Sequence, residues 1–218
     1  MTFKANNVLF KLSTHLFVTF SFVKLYMDKK QENEIIESVL NGDREKFAFF
    51  VDKYKGPVYN LVYRLTGSRY DAEDLAQETF IKAYKSLNNF IPKKKFFPWL
   101  YTIAINLTRN HLKKKKPLLV ENFDHLQTDK DNPEQAVSKQ QEVEALARYI
   151  QILPVSLREA IILRYYHYLH FEEISQILCI SLSAAKMRVY RGLEKLENLI
   201  KRKAEPRFAK ATQGKGQK

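Results

Sequence analysis

Residues 171–196 read FEEISQILCISLSAAKMRVYRGLEKL, and their apolar side chains fall into two helical patterns separated by a short break. The first pattern predicts a helix over Phe171–Leu178, with Phe171, Ile174, Ile177 and Leu178 turned inward. A bend follows at residues 179–181. The second pattern predicts a helix that buries Leu182, Ala185, Val189, Leu193 and Leu196. Two helices joined by such a tight turn are predicted to form a helix-turn-helix.

The outer face of the second helix carries side chains that suit contacts to DNA. Its residues are Ser183, Ala184, Lys186, Met187, Arg188, Tyr190 and Arg191. A helix-turn-helix places its second helix in the major groove, where cations and hydroxyls meet phosphates and base edges. On this segment alone, an ordinary amphipathic helix pair with a solvated basic face stays open as the alternative.

Length and composition limit what the whole chain can be. Its 218 residues suit one or two domains, and only six glycines without alternating strand patterns favour an all-helical fold. The formal charge of +13 indicates a polyanionic partner, either nucleic acid or an anionic membrane. A single cysteine excludes an intramolecular disulfide framework and fits a reducing cytoplasm.

The residues before Met27 are expected to be a non-native or disordered extension upstream of the folded protein. Their apolar run over 8–26 is interrupted by Lys11, His15 and Lys24, so it does not predict a membrane-spanning helix. It also lacks the small-residue cleavage site of a signal peptide. We expect translation to start at Met27. An interfacial or partner-binding segment is the alternative.

Helix caps and breakers divide the rest into two small helical domains. In the first half, the predicted helices are Glu32–Leu40, a helix capped by Asp43 that ends at Tyr54 before the Gly56-Pro57 break, Val58–Leu65, a helix from Ala72 to Leu87 capped by Asp71, and one from Pro98 to Leu112. In the second half, residues 141–152 are helical, and Ser156 and Glu159 form a capping box that opens Leu157–Tyr166. The predicted divisions are an extension (1–26), a first domain (27–116), a flexible linker (117–140), a second domain (141–203) and a disordered basic tail (204–218).

A second set of polar and aromatic residues lies in FFPWLYTIAINLTRNHLK, residues 96–113. Beside an inward apolar stripe, one face carries Trp99, Thr102, Asn106, Arg109, Asn110 and Lys113. Rings beside Asn and Arg suit single-stranded nucleic acid, whose bases stack on aromatic side chains. Lys93, Lys94 and Lys95 precede this helix and suit phosphates. For Phe96 and Phe97, base stacking and a place in the core are equally open.

A third set lies in DAEDLAQETF, residues 71–80, where Asp71, Asp74, Gln77 and Glu78 are predicted to point outward. A solvated helix start is the simplest interpretation. Carboxylates could instead hold a divalent metal in a nuclease, but ligands spread along an exposed helix face rarely converge. An acidic patch on a basic protein could also dock a basic protein partner.

Three motifs in order resemble the sigma-70 family. DAEDLAQETFIKAY (71–84) resembles region 2.2, FPWLYTIAINLTRNHLKK (97–114) resembles regions 2.3 and 2.4, and residues 153–200 resemble region 4.2. The absence of the family's region 3 and of a long region 1 is typical of the extracytoplasmic-function (ECF) group of bacterial sigma factors.

The resemblance implies a cytoplasmic protein without an active site, which directs core RNA polymerase to promoters and opens them. It implies promoter DNA, the β′ clamp helices and the β flap of the polymerase, and an anti-sigma factor as partners. It implies no cofactor, no metal, no small-molecule substrate and no stable membrane insertion. The alternative is a free-standing helix-turn-helix regulator, which leaves the acidic and aromatic helices without a role.

The resemblance also implies a role for each matching position. Asp71, Asp74, Gln77 and Glu78 would bind the β′ clamp helices. The loop 88–97 would capture a base flipped out of the −10 element, and the −10 contacts would be Lys93, Lys94, Lys95, Phe96, Trp99, Asn106, Arg109 and Asn110. The −35 contacts would be Ser181, Leu182, Ser183, Ala184, Lys186, Met187, Arg188, Tyr190 and Arg191.

The turn departs from the family pattern. Cys179 occupies a position that is often glycine, so a positive φ there would be strained. Residues 180–184 lack the proline and threonine that relatives often carry, so the −35 sequence cannot be transferred from them.

Overall fold

The computed structural model describes residues 28–114 and 145–204, with side chains to residue 201. The predicted extension (1–26), the linker (117–140) and all but the first residue of the tail (204–218) lie outside the described residues. The described helices are α1 Lys29–Leu40, α2 Ala48–Thr66, α3 Arg69–Lys85, α4 Phe96–Lys114, α5 over 145–152, α6 Val155–Tyr165, α7 Phe171–Leu178 and α8 Leu182–Ala204. Short 3₁₀ turns lie at Arg44–Phe47 and Leu87–Asn89. No strand occurs in these two ranges, which confirms the all-α prediction.

Helix α2 runs through Gly56-Pro57, so the predicted break there is wrong. Proline inside a helix costs about 3 kcal/mol, because it removes one backbone hydrogen bond and crowds the preceding turn. That cost is offset by burial of one whole face of α2, since each buried large apolar side chain contributes about 1.5–3 kcal/mol. The buried side chains of α2 are Phe50, Tyr54, Pro57, Val58, Leu61, Val62 and Leu65. The helix ends at Gly67, whose φ of 73° is left-handed.

Three predicted caps are also wrong. Ser68 caps α3 by accepting a hydrogen bond from the Asp71 amide at 3.2 Å, so α3 begins three residues earlier than predicted. Asp43 makes no side-chain cap and precedes a 3₁₀ turn. Pro154 occupies the cap position of α6, and Glu159 is 1% exposed and points at another helix.

Phe96 and Phe97 belong to the core of the first half. Both are fully buried, and the Phe96 ring stacks on Phe50 with centroids 3.9 Å apart. The ring of Phe97 packs against that of Tyr101, with centroids 4.1 Å apart. The core alternative is therefore the right one for both rings.

Helix α7, the turn at residues 179–181 and the start of α8 lie where predicted, and α8 continues beyond Leu196 to Ala204. Cys179 adopts a left-handed conformation (φ 54°), so this turn imposes a backbone that glycine would adopt with less strain. Leu182 is 38% exposed, so its predicted burial is wrong. The remaining predicted core positions of α8 are buried: Ala185, Val189, Leu193 and Leu196.

Candidate DNA and protein interfaces

The acidic face of α3 has three of its four predicted members. Asp74, Gln77 and Glu78 are exposed. Asp71 is only 8% exposed, and its Oδ1 lies 3.3 Å from Nε2 of His111 on α4, so the prediction that it points outward is wrong. Ile81, 55% exposed, extends the same face by one turn. Its signal in the sequence was an apolar residue outside the inward stripe, three positions after Glu78.

The loop before α4 lies between two buried rings. Phe90 is 7% exposed and Phe96 is fully buried, whereas residues 91–95 are exposed. A turn closes the loop, because the Lys94 amide donates to the Ile91 carbonyl at 2.9 Å. Lys93, Lys94 and Lys95 are therefore exposed. Because the Phe96 ring lies in the core, we correct its assignment as a −10 contact.

The outer face of α4 is only partly free. Asn106 and Asn110 are exposed, and Trp99 is half-buried with its ring 5.3 Å from Phe90 and 5.4 Å from Phe96. Arg109 is half-buried and bound to another helix.

Arg109 forms a two-point ion pair with Glu159 of α6. Its Nε donates to Oε1 and its Nη2 to Oε2, each at 2.6 Å. These hydrogen bonds are the largest cause that raises the pKa of the Arg109 guanidinium, and burial opposes them. This role of Glu159 was missed in the sequence, because Ser156-x-x-Glu159 also matches the pattern of a capping box.

Further polar contacts join the two halves around this pair. Arg158 donates to the Leu65 carbonyl at 2.6 Å, and Gln151 donates to the Arg64 carbonyl at 2.7 Å. The Thr102 hydroxyl donates to the Ile177 carbonyl at 3.1 Å. Helices α2 and α4 thus contact α5, α6 and α7 directly.

A histidine lies in the same interface. The Tyr101 hydroxyl is 3.0 Å from Nδ1 of His167, and the two rings meet edge to face. Burial, and then the charge of Arg64, lower the pKa of His167 to about 3. His167 is therefore neutral at neutral pH.

The outer face of α8 is accessible at most of the predicted contact positions. Seven of the nine predicted −35 positions are exposed, namely Ser181, Leu182, Ser183, Lys186, Met187, Tyr190 and Arg191. Ala184 and Arg188 are half-buried. The Ser181 hydroxyl accepts the Ala184 amide at 3.2 Å, so Ser181 also caps the helix.

The described ranges contain no group of three or more His, Cys, Asp or Glu side chains that could hold a metal ion. None of the helices in those ranges is long and apolar enough to cross a membrane.

Comparison with known proteins places both halves in one family. The family model Sigma-70 region 2 matches residues 50–117, and the model Sigma-70, region 4 matches residues 143–196. The chain is 36% identical to the ECF RNA polymerase sigma factor SigW of Bacillus subtilis, over 76% of this chain and 95% of that protein. It is 31% identical to the RNA polymerase sigma-H factor of Pseudomonas aeruginosa, over 80% and 96%.

A solved structure has a similar fold. The sigma factor RpoE of Bartonella quintana, determined in complex with the anti-sigma factor NepR, aligns with a TM-score of 0.56 at 23% identity. That alignment covers 72% of this chain and 98% of RpoE.

Proposed function

The chain belongs to the ECF group of the sigma-70 family, and we propose that three surfaces described above carry out the family's task in it. It is a sigma factor that binds core RNA polymerase, recognises the −35 and −10 promoter elements and promotes promoter opening. The observation that carries this function is the presence of both matching regions, in order, in one chain. A free-standing regulator accounts for only the second region.

The face of α8 reads the −35 element. Its exposed cations and hydroxyls lie on one side of a 23-residue helix, and the recognition helix of such a motif enters the major groove. Residues near the start of the helix, such as Ser183 and Lys186, reach base edges. Arg188 and Arg191, further along, contact phosphates.

The exposed face of α3 binds the polymerase. Asp74, Gln77 and Glu78 present negative charge and hydrogen-bond acceptors on a protein of net charge +13. Ile81 adds an apolar contact beside them, and a mixed polar and apolar patch of this kind is common in protein interfaces. Asp71 does not belong to this surface, because it is buried against His111.

The loop before α4 and the outer face of α4 bind the melted −10 strand. Lys93, Lys94 and Lys95 contact phosphates, while Trp99, Asn106 and Asn110 meet bases or backbone. Arg109 can join them through Nη1, whose contact with Asn106 is 3.4 Å, while its Nε and Nη2 bind Glu159.

We extend three properties of the family to this chain. An anti-sigma factor that holds both halves is the expected regulatory partner, and RpoE of Bartonella quintana was determined in complex with an anti-sigma factor, NepR. The site of action is the cytoplasm, where promoter DNA lies. The protein performs no catalytic step of its own, since the polymerase supplies the chemistry.

Transcription with purified components tests this function. The protein added to bacterial core polymerase should start transcription at promoters located by mapping start sites after its induction, whereas neither component alone should do so. If the protein does not bind core polymerase, the assignment is wrong. If it binds promoter duplex but not polymerase, the free-standing regulator is the better assignment.

A further inference from the structure

Two side chains of helix α1 hold the loop before α4 by binding main-chain groups of that loop. The Lys29 ammonium donates to the Lys93 carbonyl at 2.8 Å. The Phe96 amide donates to Oε2 of Glu32 at 3.2 Å. Both contacts are made to main-chain groups on the descending limb of the loop.

The two anchoring side chains lie one turn apart on the same edge of α1. Their charges match the groups they meet, since a cation lies at a carbonyl and a carboxylate at an amide. Asp28 caps α1 by accepting the Lys30 amide at 2.7 Å, which fixes the first turn that carries Lys29. The Phe96 amide is the first of α4, where a negative charge is favoured by the helix dipole.

Glu32 is a costly residue to place here for stability alone. It is 2% exposed. Burial raises the pKa of its carboxyl, while the Phe96 amide and the charges of Lys95 and Lys53 oppose that rise. Replacing a buried charged group by a well-packed apolar one is often neutral or stabilising. A role in fixing one geometry accounts for the carboxylate better than a role in fold stability.

We propose that Glu32, assisted by Lys29, is a positioning residue for −10 recognition, which sets where the loop over residues 91–95 stands relative to Trp99. This rests on the proposed function, in which that loop contacts the −10 strand. Because the anchors act on main-chain groups, they hold the backbone of the loop, while the exposed side chains of Lys93 and Lys94 extend from it into solvent.

The test uses the whole protein assembled with core polymerase, and a promoter library whose −10 element is randomised. Four variants are compared with the unaltered chain: Glu32→Ala, Glu32→Gln, Lys29→Met and Glu37→Ala. Glu37 is an exposed glutamate of the same helix, so its replacement is the matched control. The readouts are the base preference at each −10 position, the affinity for core polymerase and the thermal midpoint.

Glu32→Ala should reduce discrimination at one or more −10 positions by roughly tenfold, a change typical of losing one well-placed base contact. Core affinity and −35 preference should not change. Glu32→Gln keeps an acceptor for the Phe96 amide and should retain most of the discrimination. Lys29→Met should show a smaller loss, because its contact is exposed, and Glu37→Ala should show none.

The proposal is overturned if Glu32→Ala lowers the thermal midpoint but leaves the −10 preference unaltered, since Glu32 then acts only on stability. It is also overturned if core affinity, −35 preference and −10 preference fall together. Should Glu32→Ala fail to fold, Lys29→Met decides the question by the same −10 measurement. If the unaltered chain does not bind core polymerase, the proposed function has failed instead.

Discussion

Arg109 and Glu159, 50 positions apart, join the two halves of the protein through two hydrogen bonds of 2.6 Å each. Glu159 is 1% exposed, and its carboxylate binds the Arg109 guanidinium while the charge of Arg158 also acts on it. Arg109 is also a residue that we propose for the −10 strand. The ion pair and the proposed DNA contact therefore share one guanidinium.

The first prediction concerns this pair. Arg109→Ala leaves a buried carboxylate unpaired, which should destabilise the packed arrangement by about 3 kcal/mol. We expect the halves to separate, with an increase in the radius of gyration measured by small-angle X-ray scattering. Glu172→Ala, which removes an exposed carboxylate from α7, should leave the radius unchanged. An Arg109→Ala protein as compact as the unaltered one would show that the pair does not hold the halves together.

The second prediction distinguishes the exposed acidic residues of α3, Asp74 and Glu78, from the buried Asp71. Asp74→Lys with Glu78→Lys should lower the affinity for core polymerase at least about tenfold, because like charges then face the partner. Binding of −35 duplex should not change. Glu73→Lys makes the same charge change on a neighbouring edge and should have little effect. Asp71→Asn should lower the thermal midpoint through its contact with His111 and leave core affinity intact. An equal loss of core affinity in all these variants would contradict the surface.

The third prediction concerns −35 recognition by α8. Lys186→Ala should cost about 1–3 kcal/mol on the preferred −35 sequence and much less on a scrambled one. Arg191→Ala should weaken binding to the preferred and the scrambled duplex equally. It should also reduce the slope of log affinity against log salt concentration by about one, as the loss of one phosphate contact does. Lys195, exposed but outside the predicted contact face, supplies the control substitution. Equal losses from Lys186→Ala and Lys195→Ala would argue against direct base contact. The measurement is fluorescence anisotropy of labelled duplex across a salt series.

The fourth prediction is a pH dependence from His167. Because its folded pKa of about 3 lies below the ordinary value of 6.5, the unfolded chain takes up the proton first as the pH falls. The contribution of His167 to the free energy of unfolding is constant above about pH 6.5. It is lost between about pH 6.5 and 3, by up to about 1.4 kcal/mol per pH unit. His167→Gln should remove this part of the pH dependence of the free energy of unfolding. Urea unfolding of both proteins from pH 7.5 to 5 measures the difference, and parallel curves would exclude the effect.

The fifth prediction concerns the approach of α8 to α6. A Cβ on Gly192 would lie 2.7 Å from Cγ1 of Ile161, which is fully buried. Gly192→Ala should therefore destabilise the protein by about 1–3 kcal/mol, despite the better helix propensity of alanine. Adding Ile161→Ala tests the contact, because it removes both Cγ1 and Cδ1, so the double variant should lose less stability in urea unfolding than the sum of the two single losses. Additive losses in the double variant would place the effect elsewhere.

Local pattern was enough to locate the helix-turn-helix. The bounds of α7 and the start of α8 agree with apolar spacing, because both helices bury one continuous stripe and a short bend separates them. The same spacing identified the exposed face of α8 apart from Leu182, which lies at the open start of the helix. The family motifs likewise predicted the function that the comparisons support.

Other residues owe their roles to partners far along the chain. Pro57 lies inside a helix because packing of α2 outweighs its local cost, and Asp71 is buried because His111 lies opposite. Phe96 is in the core, and Glu159 points at Arg109. Periodicity records which side of a helix is apolar, but it does not record which helix that side meets. A charged residue on a helix edge therefore reads as solvated or capping until the fold brings an opposite charge or an amide to it, as it does for Glu159 and Glu32.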